Sequence, residues 1–397
     1  MDTVGQPARF RKRLHHPPDT PCLVRGLSGP TSSRTERDLE ELPVFAVIRH
    51  LCIGWHKQAT KHDPIDTRTL TSMQKSLFLL TACIALQAHA EPASQSETLK
   101  VFILAGQSNM VGFGQLKGRL GTMESYVEEK PEAYGHLVDP DGKPVVRDDV
   151  WIVNLSDPKN PQQGWLTTGY GASPDHIGPE YGFGIEMADH YEEPVLLIKC
   201  AWGGRSLFHN FLPPSAGNYT KPEKDGDTGF HYAEVLRITK EVTSNLKTYY
   251  PHDSSKGFEI VGFGWHQGWN DRINQAAVDA YEENLVHLVQ DLRRDLGIEK
   301  LPVVIANTGM GGWEIPKRYK AKVEKLMVAQ LALADPEKYP QFAGTVGGVE
   351  TRDFQRSLEQ SPSKQEYHWM RNWETYYLIG KSMGQSMIQL LDAPPVE

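Results

Sequence analysis

The 397-residue sequence has only four cysteines, and none of them forms a CxxC pair or a metal-ligand spacing. This scarcity excludes a small disulfide-stapled scaffold and a cysteine-based zinc module. The chain also lacks a basic excess, since its net charge is −8, which argues against a nucleic-acid partner. No hydrophobic run after residue 90 has the length of a transmembrane helix, so we expect no integral membrane segment in the mature chain.

Residues 73–90 have the pattern of a secretory signal peptide. Lys75 supplies the positive n-region, residues 77–86 form a short apolar h-region, and Ala88-His89-Ala90 matches a small-x-small cleavage site. Because a signal peptide stands at the start of a chain, we interpret residues 1–72 as an upstream extension that is not native. The mature protein is then a single domain over residues 91–397.

This interpretation predicts a secreted protein, periplasmic or extracellular. One alternative is a lipoprotein anchored at Cys83, because Leu80-Thr81-Ala82-Cys83 resembles a lipobox. Another is a buried core helix that follows a genuine N-terminal region. If residues 1–90 are absent from the mature protein, only Cys200 remains and no intrachain disulfide can form.

From residue 99 onward, short apolar runs alternate with helix-like segments. Strands are predicted at residues 101–105, 194–201, 259–265 and 302–306, with a further candidate at 344–349. Helices are predicted at residues 180–191, 232–249, 274–296, 317–333 and 375–391. The alternation predicts an α/β domain with a mainly parallel sheet covered on both faces. Residues 114–173, rich in glycine, proline and charge, are predicted to be an irregular insertion.

In such sheets, functional residues gather where strands end at their carboxyl side. Ser108 follows the first predicted strand within Gly106-Gln-Ser-Asn-Met110, where a sharp turn would point its hydroxyl into the crevice. The motif is not the GxSxG elbow, because Met110 replaces the second glycine. A serine in this position can equally be the N-cap of a following helix.

The second and third strand ends offer donors for a developing oxyanion. Gly203 and Gly204 let backbone N–H groups approach a ligand, although an ordinary turn also explains them. Gln267, in Trp265-His-Gln-Gly-Trp-Asn-Asp271, supplies an uncharged side-chain donor. His266 is more consistent with a structural or substrate-contacting role than with a base. Trp269 suits either the core or a platform for a sugar ring.

A fourth motif lies before the last predicted helix, where His368 can reach back over the sheet end. Together, AGQSNM, WGGRSL, WHQGWND and YHWMRN, in this order, resemble the sequence blocks of SGNH hydrolases. The most similar group is the sialate O-acetylesterase-like family, which includes the acetyl xylan esterases of carbohydrate esterase family 6. The resemblance covers roughly residues 100–387.

The resemblance implies a flavodoxin-like three-layer α/β/α sandwich with a mainly parallel sheet. It implies Ser108 as nucleophile, His368 as base, and the Ser108 N–H, a Gly204 N–H and the Gln267 side chain as oxyanion donors. It also implies that no metal or other cofactor takes part. The expected partner is an acetylated carbohydrate. The residues expected to contact it are Gln107, Asn109, Arg205, His266, Trp269 and Asp271.

The sequence departs from the family pattern at two places. Many SGNH hydrolases have an aspartate three residues before the histidine, and this chain has Gln365 there. The third triad member is therefore open among Glu366, the nearest, Asp353, Glu350, or none, with a backbone carbonyl orienting a Ser–His dyad. Trp269 stands where relatives commonly have glutamate.

These features predict a secreted acetylesterase that acts on an acetylated polysaccharide such as xylan, or on O-acetyl sialic acid, through an acyl-enzyme. An esterase for a non-carbohydrate ester is one alternative. Another is a catalytically inactive relative that binds carbohydrate, for which the missing aspartate at Gln365 is the best support.

Overall fold

Strand β1 (Leu99–Gly106) is the centre of the fold, because its sequence LKVFILAG is apolar at nearly every position and is buried on both faces. The computed structural model describes residues 98–217 and 219–394. In it, β1 lies between two parallel neighbours, β6 (Val195–Ala201) and β7 (Phe258–His266). Each of these also has a buried apolar run, which suits a sheet covered on both sides.

Within the described residues, the main sheet has seven strands in the order β4-β3-β6-β1-β7-β8-β9. The added strands are β3 (Arg147–Asn154), β4 (Gln162–Leu166), β8 (Val303–Ala306) and β9 (Val346–Val349). All neighbours pair in parallel except β4, which is an antiparallel edge strand. A separate pair joins β2 (Gly114–Gln115) to β5 (His176–Ile177).

Helices cover both faces of the sheet, because alternate residues of β1 belong to different hydrophobic clusters. Phe102 and Leu104 pack in one cluster, and Val101 and Ile103 pack in the other. The helices are α1 (Ser108–Val111), α2 (Met123–Glu129), α3 (Pro131–Tyr134), α4 (Pro179–His190), α5 (Phe230–Ser244), α6 (Leu246–Tyr249), α7 (Gln275–Leu296), α8 (Lys320–Ala332) and α9 (Trp373–Leu391). Helices α4 and α9 contribute to the first cluster, and α5 and α7 contribute to the second. The predicted α/β fold with a mainly parallel sheet is confirmed.

Helices α4 and α9 approach each other closely through glycine. A Cβ at Gly380 would lie 2.0 Å from the Pro179 carbonyl oxygen, and one at Gly182 would lie 2.3 Å from the Tyr377 carbonyl oxygen. Any larger residue at either position would force the helices apart. The contact fixes α9, and with it the residues that precede α9, against the body of the domain.

The predicted helices and strands are observed within a few residues of their predicted ends, with two corrections. Residues 114–173 are not an irregular insertion, since they contain an inner strand of the sheet, β3, along with β4, α2 and α3. Only Val150–Val153 of β3 is buried and apolar, and the charged residues that precede it conceal this short run. The helix predicted at residues 232–249 is two helices, which Asn245 separates.

Several predictions fall outside the described residues. These are the extension at residues 1–72, the signal peptide at 73–90 and the three cysteines Cys22, Cys52 and Cys83. Cys200 is described, buried in β6 and unpaired. Among the described residues, no helix combines the length and apolar character that crossing a membrane requires.

Candidate active site

The sheet register brings three of the predicted motifs to one edge. Gly106, the last residue of β1, pairs with Ala201 of β6 on one side and with His266 of β7 on the other. The residues that follow the three strands therefore leave the sheet side by side. The approach is close, because a Cβ at Gly106 would lie 2.2 Å from the His266 carbonyl oxygen. Adjacent strand ends of this kind form the crevice in which open α/β sheets bind ligands.

Ser108 is the first residue of α1, and Gln107 occupies the N-cap position in an extended conformation. Ser108 is thus not the helix N-cap, and its hydroxyl makes no hydrogen bond with any described residue. The side chain is 9% exposed and lines a cavity of about 630 Å³, together with Phe113, Trp202 and Gly203. The hydroxyl is accessible to a ligand in that cavity.

The turn after β6 presents open backbone toward the same region. Gly204 has φ +68°, a left-handed conformation that favours glycine, and a Cβ at Gly203 or Gly204 would meet nothing within 4 Å. Neither N–H group donates to another described residue. The turn therefore has the open backbone that the predicted oxyanion role requires.

A buried carboxylate connects this turn to the loop after β7. Asp271 accepts hydrogen bonds from the N–H groups of Leu207 (3.1 Å) and Phe208 (3.0 Å), and from Gln267 Nε2 (2.6 Å). Burial raises the pKa of Asp271 to about 6, and these hydrogen bonds oppose the rise. At neutral pH the group is an ionised carboxylate held by three donors from two loops.

The Gln267 amide is engaged within the protein. Besides Asp271, Nε2 donates to the Arg205 carbonyl oxygen at 2.8 Å, and Oε1 accepts from the Tyr281 hydroxyl at 2.9 Å. Gln107 has a similar bracing role, because its Oε1 accepts from the N–H groups of Gly268 and Asn270. Both side chains are buried. The structure places Gln267 beside the glycine turn that is predicted to bind the oxyanion. Both N–H groups of its amide already donate hydrogen bonds within the protein.

The loop that carries His368 has an unusual backbone. Trp369, Met370 and Arg371 have φ values of 49°, 53° and 57°, in the left-handed region that residues other than glycine rarely adopt. Each such residue costs about 1–3 kcal/mol, so the surroundings must hold the loop in place. Trp369 is fully buried. Backbone strain of this kind is concentrated at functional sites.

Asn109 connects this loop to the turn that carries Ser108. Its Nδ2 donates to the Tyr367 carbonyl oxygen at 3.1 Å, and its Oδ1 accepts from the Tyr376 hydroxyl at 2.7 Å. The residue after Ser108 thus holds the residue before His368. Asn109 is buried, and its hydrogen bonds position the loop. This role differs from the predicted contact with the substrate.

The His368 ring stacks on Phe113, with centroids 3.8 Å apart and planes 9° from parallel. Phe113 also lines the cavity beside Ser108, so the His368 ring packs directly against one residue of the cavity wall. Burial, together with the positive charges of Arg371 and His176, lowers the pKa of His368 to about 4. The imidazole is therefore neutral at pH 7 and can accept a proton.

The structure brings none of the candidate acids to His368. Glu366 accepts from Arg318 and from the Tyr319 hydroxyl, both at 3.2 Å. Asp353 accepts from Trp313 Nε1, and Glu350 pairs with Arg352. Among the described residues, the buried His368 Nδ1 has no hydrogen-bond partner. The alternative of a backbone carbonyl that orients the ring is therefore not observed either.

Gln365, which replaces the family's aspartate, organises the loop. Its Oε1 accepts from Arg371 Nε at 2.7 Å, and its carbonyl oxygen accepts from the His368 N–H at 2.9 Å. The described residues therefore provide no carboxylate for His368, and no hydrogen bond joins His368 to the Ser108 hydroxyl.

The remaining predicted substrate contacts have structural partners. His266 is fully buried, its Nδ1 lies 3.1 Å from the Ala306 carbonyl oxygen, and burial lowers its pKa to about 4. Trp269 is buried against Tyr319 and Arg272 and is not an open platform. Arg205 is partly exposed and pairs with Asp225.

Sequence reasoning missed most of the cavity wall. Asn154, Ser156 and Ser173 line it, and all three lie in the segment predicted to be irregular. Trp202 also lines it and donates from Nε1 to the Ser156 carbonyl oxygen at 2.9 Å. Its position beside the glycine pair was the one available signal.

A model of the family described as carbohydrate esterase, sialic acid-specific acetylesterase, matches residues 98–341. The chain belongs to this family. As a member, it is a carboxylic ester hydrolase of the carbohydrate acetylesterase type, and the resemblance identified from the four motifs is confirmed. The matched region ends before His368, so the assignment of His368 depends on the fourth motif and on the geometry described above.

A probable carbohydrate esterase of Arabidopsis thaliana is 24% identical over 250 residues, which is 61% of this chain and 80% of that protein. Among solved structures, an Arabidopsis thaliana protein matches with 18% identity over 74% of this chain and 98% of its own, at a TM-score of 0.45. NanS matches with 14% identity over 75% and 98%, at 0.44. A carbohydrate acetylesterase of Xanthomonas citri matches with 14% identity over 72% and 55%, at 0.42.

We expect Asp271→Asn to lower both thermal stability and esterase activity. Asparagine has one acceptor oxygen, so its amide must face a donor that Asp271 now satisfies, and a buried unsatisfied donor costs about 1–3 kcal/mol. The measurements are the melting temperature and the rate of aryl acetate hydrolysis. Asp279→Asn, at an exposed position on α7, is the matched control and should change neither quantity. If the two variants behave alike, Asp271 does not brace the site.

Proposed function

We propose that the protein removes O-acetyl groups from a carbohydrate by acyl transfer through Ser108, with His368 as the base. One observation carries the proposal. Ser108 and Gly203, which precedes Gly204 in the open turn, line one cavity, and Asn109 connects the His368 loop to the Ser108 turn. The family membership supplies the reaction class, and this geometry supports the roles that we propose for individual residues.

In the first step, neutral His368 takes the Ser108 proton as the hydroxyl oxygen attacks the acetyl carbonyl carbon. The C–O bond to the sugar then breaks, and His368 returns the proton to the leaving sugar oxygen. This leaves an acetyl ester on Ser108. Water, deprotonated by the same imidazole, attacks that ester and releases acetate and free Ser108.

The tetrahedral oxyanion would accept hydrogen bonds from the Ser108 and Gly204 N–H groups. For Gln267 to act as the third donor, its amide must exchange a bond to Asp271 or to the Arg205 carbonyl for one to the oxyanion. Each donor in such a site contributes about 2.7–4 kcal/mol to transition-state stabilisation. A neutral donor suits a buried position better than a cation.

The unpartnered Nδ1 of His368 favours one second candidate, a relative that binds carbohydrate and has lost turnover. A triad acid ordinarily holds the imidazole and stabilises its protonated form. Here the imidazole stacks on the Phe113 ring, and Asn109 holds the backbone of the preceding residue, Tyr367. Binding of an acetylated glycan without acetate release would identify this candidate.

Substitution of the nucleophile tests the mechanism directly. Ser108→Ala should lower acetate release from acetylated xylan and from an aryl acetate by about 10³-fold or more, because no acyl-enzyme can form. Ser382→Ala, in the middle of α9, is the matched control and should retain full activity. Rapid-quench mass spectrometry of the parent should detect an acetyl group on Ser108. An active Ser108→Ala protein would exclude the proposal.

The pH profile tests the state of His368. Because the pKa of His368 is lowered to about 4, the imidazole stays neutral well below the pH at which an ordinary histidine is protonated. The acidic limb of kcat/KM, measured with an aryl acetate, should therefore lie near pH 4–5. Arg371→Gln should move the limb to higher pH, since it removes a positive charge that opposes protonation. A limb near pH 6.5 in the parent would show that a carboxylate or solvent reaches the ring.

We also propose that the protein is exported, on the basis of the signal-peptide pattern at residues 73–90. The N-terminal sequence of the protein purified from the culture medium or periplasm should begin at Glu91. A lipid-modified N-terminus at Cys83 would instead support the lipoprotein alternative. If the protein is found inside the cell with residues 73–90 still attached, export would be excluded.

A further inference from the structure

Lys199, on β6, is a buried lysine that takes no part in the proposed reaction steps. Its side chain is 1% exposed, and so is that of Glu180, the second residue of α4. The Lys199 Nζ donates to Glu180 Oε2 at 2.7 Å. It also donates to the carbonyl oxygens of Tyr170 at 2.7 Å and Val111 at 2.8 Å. An ammonium has three N–H donors, so each of them has one acceptor.

Lys199 and Glu180, the buried pair, are fully hydrogen-bonded. The second carboxylate oxygen of Glu180, Oε1, accepts from the Gly178 N–H at 2.8 Å. Burial lowers the pKa of Lys199, and the Glu180 carboxylate opposes that effect. A buried ion pair adds little net stability, because the lost hydration of both charges offsets their attraction. The useful property of the pair is therefore its geometry, which holds a carboxylate and two backbone carbonyl groups around one nitrogen.

The Val111 carbonyl belongs to the far end of the helical turn that carries Ser108. In α1, the Val111 N–H donates to the Gln107 carbonyl oxygen and the Gly112 N–H donates to the Ser108 carbonyl oxygen, both at 2.9 Å. A Cβ at Gly112 would lie 2.1 Å from the Gly178 Cα, so the end of the turn packs directly against the start of α4. Val111 also lines the cavity beside Ser108. The buried pair thus holds the end of the turn that begins with the proposed nucleophile.

The Tyr170 carbonyl stands at the start of a segment of the cavity wall. The next four residues, 171–174, all line the cavity beside Ser108. The Ala172 N–H donates to the Gly112 carbonyl oxygen at 2.8 Å, which joins this segment to the residue after α1. One ammonium therefore bonds to both sides of the junction between the Ser108 turn and the cavity wall.

We propose that Lys199 is a positioning residue for the reaction. Its ammonium, held by Glu180, fixes the Ser108 turn relative to the wall of the cavity that receives the ester. The proposal rests on the proposed function, because it takes Ser108 as the nucleophile. A displacement of about 1 Å between reacting groups can lower a rate by ~10²-fold, so a side chain that acts only through backbone carbonyls can affect catalysis.

The double variant Lys199→Met/Glu180→Gln tests the proposal without leaving a charge unpaired. Lys199→Met alone would leave the Glu180 carboxylate buried without its cation, which is expected to impair folding. In the double variant the glutamine oxygen can still accept from the Gly178 N–H, whereas the ammonium between the two backbone carbonyls is gone. We expect kcat for an aryl acetate to fall about tenfold or more, measured well below the melting temperature. KM should change little, because so small an ester contacts little of the wall.

Arg293→Met is the matched control for a general loss of stability. Arg293 is also a buried cation that donates to backbone carbonyls, those of Leu301 and Thr345. These residues precede β8 and β9, at the edge of the sheet opposite to the site. The control should lower the melting temperature and leave kcat of the folded protein unchanged. A folded double variant with the parent kcat would overturn the proposal, and so would an equal loss of kcat in Arg293→Met.

If the double variant does not fold, Glu180→Gln alone decides the question. It keeps Lys199 but removes the charge that stabilises the ammonium, and a neutral amine has one N–H donor fewer. We expect a smaller, severalfold fall in kcat for the aryl acetate, again with little change in KM. An unchanged kcat in folded Glu180→Gln would then overturn the proposal.

Ser108→Ala separates a failure of this proposal from a failure of the proposed function. An inactive Ser108→Ala protein beside a fully active double variant would retain the serine mechanism and overturn the role of Lys199. An active Ser108→Ala protein would overturn the proposed function, and the positioning role of Lys199 with it.

Discussion

The buried carboxylate of Asp271 is the interaction on which the site depends. Its two oxygens hold the loop after β6 and the side chain that follows β7, so two strand ends keep one spacing. A charge is expensive to bury, and only a full set of donors makes its burial tolerable. Gln267 also donates to the Arg205 carbonyl oxygen, so the same arrangement holds the residue next to Gly204. The site is thus supported by buried groups that do not line the cavity.

A second constraint is the conformation of the loop that carries His368. Its left-handed backbone is unfavourable in isolation, and the contacts made by Asn109 and Trp369 compensate for it. Asn109 follows Ser108 in the chain and Tyr367 precedes His368, so their hydrogen bond links the positions of Ser108 and His368. With no carboxylate at Nδ1, stacking on Phe113 takes over part of the task of orienting the ring.

Part of this arrangement could be predicted from the sequence, because three of the motifs follow buried strands, whereas the roles of individual residues rest on the family resemblance. Ser108, Gly204 and Gln267 follow three buried runs that parallel pairing places side by side. Strand β3 could not be predicted, because it has only four buried apolar residues and charged residues precede them. So short an apolar run does not stand out in the sequence. Arg205, one partner of Gln267, and Arg318, a partner of Glu366, lie far away in the chain, so only the folded contacts reveal them.

The glycine contact between α4 and α9 has a consequence for how the His368 loop can move. Helix α9 begins directly after the His368 loop, at its N-cap residue Asn372, and it cannot move toward α4 because backbone already touches backbone. A rearrangement of the His368 loop upon ligand binding therefore cannot use a shift of α9 toward α4, and it has to occur within the loop or away from α4.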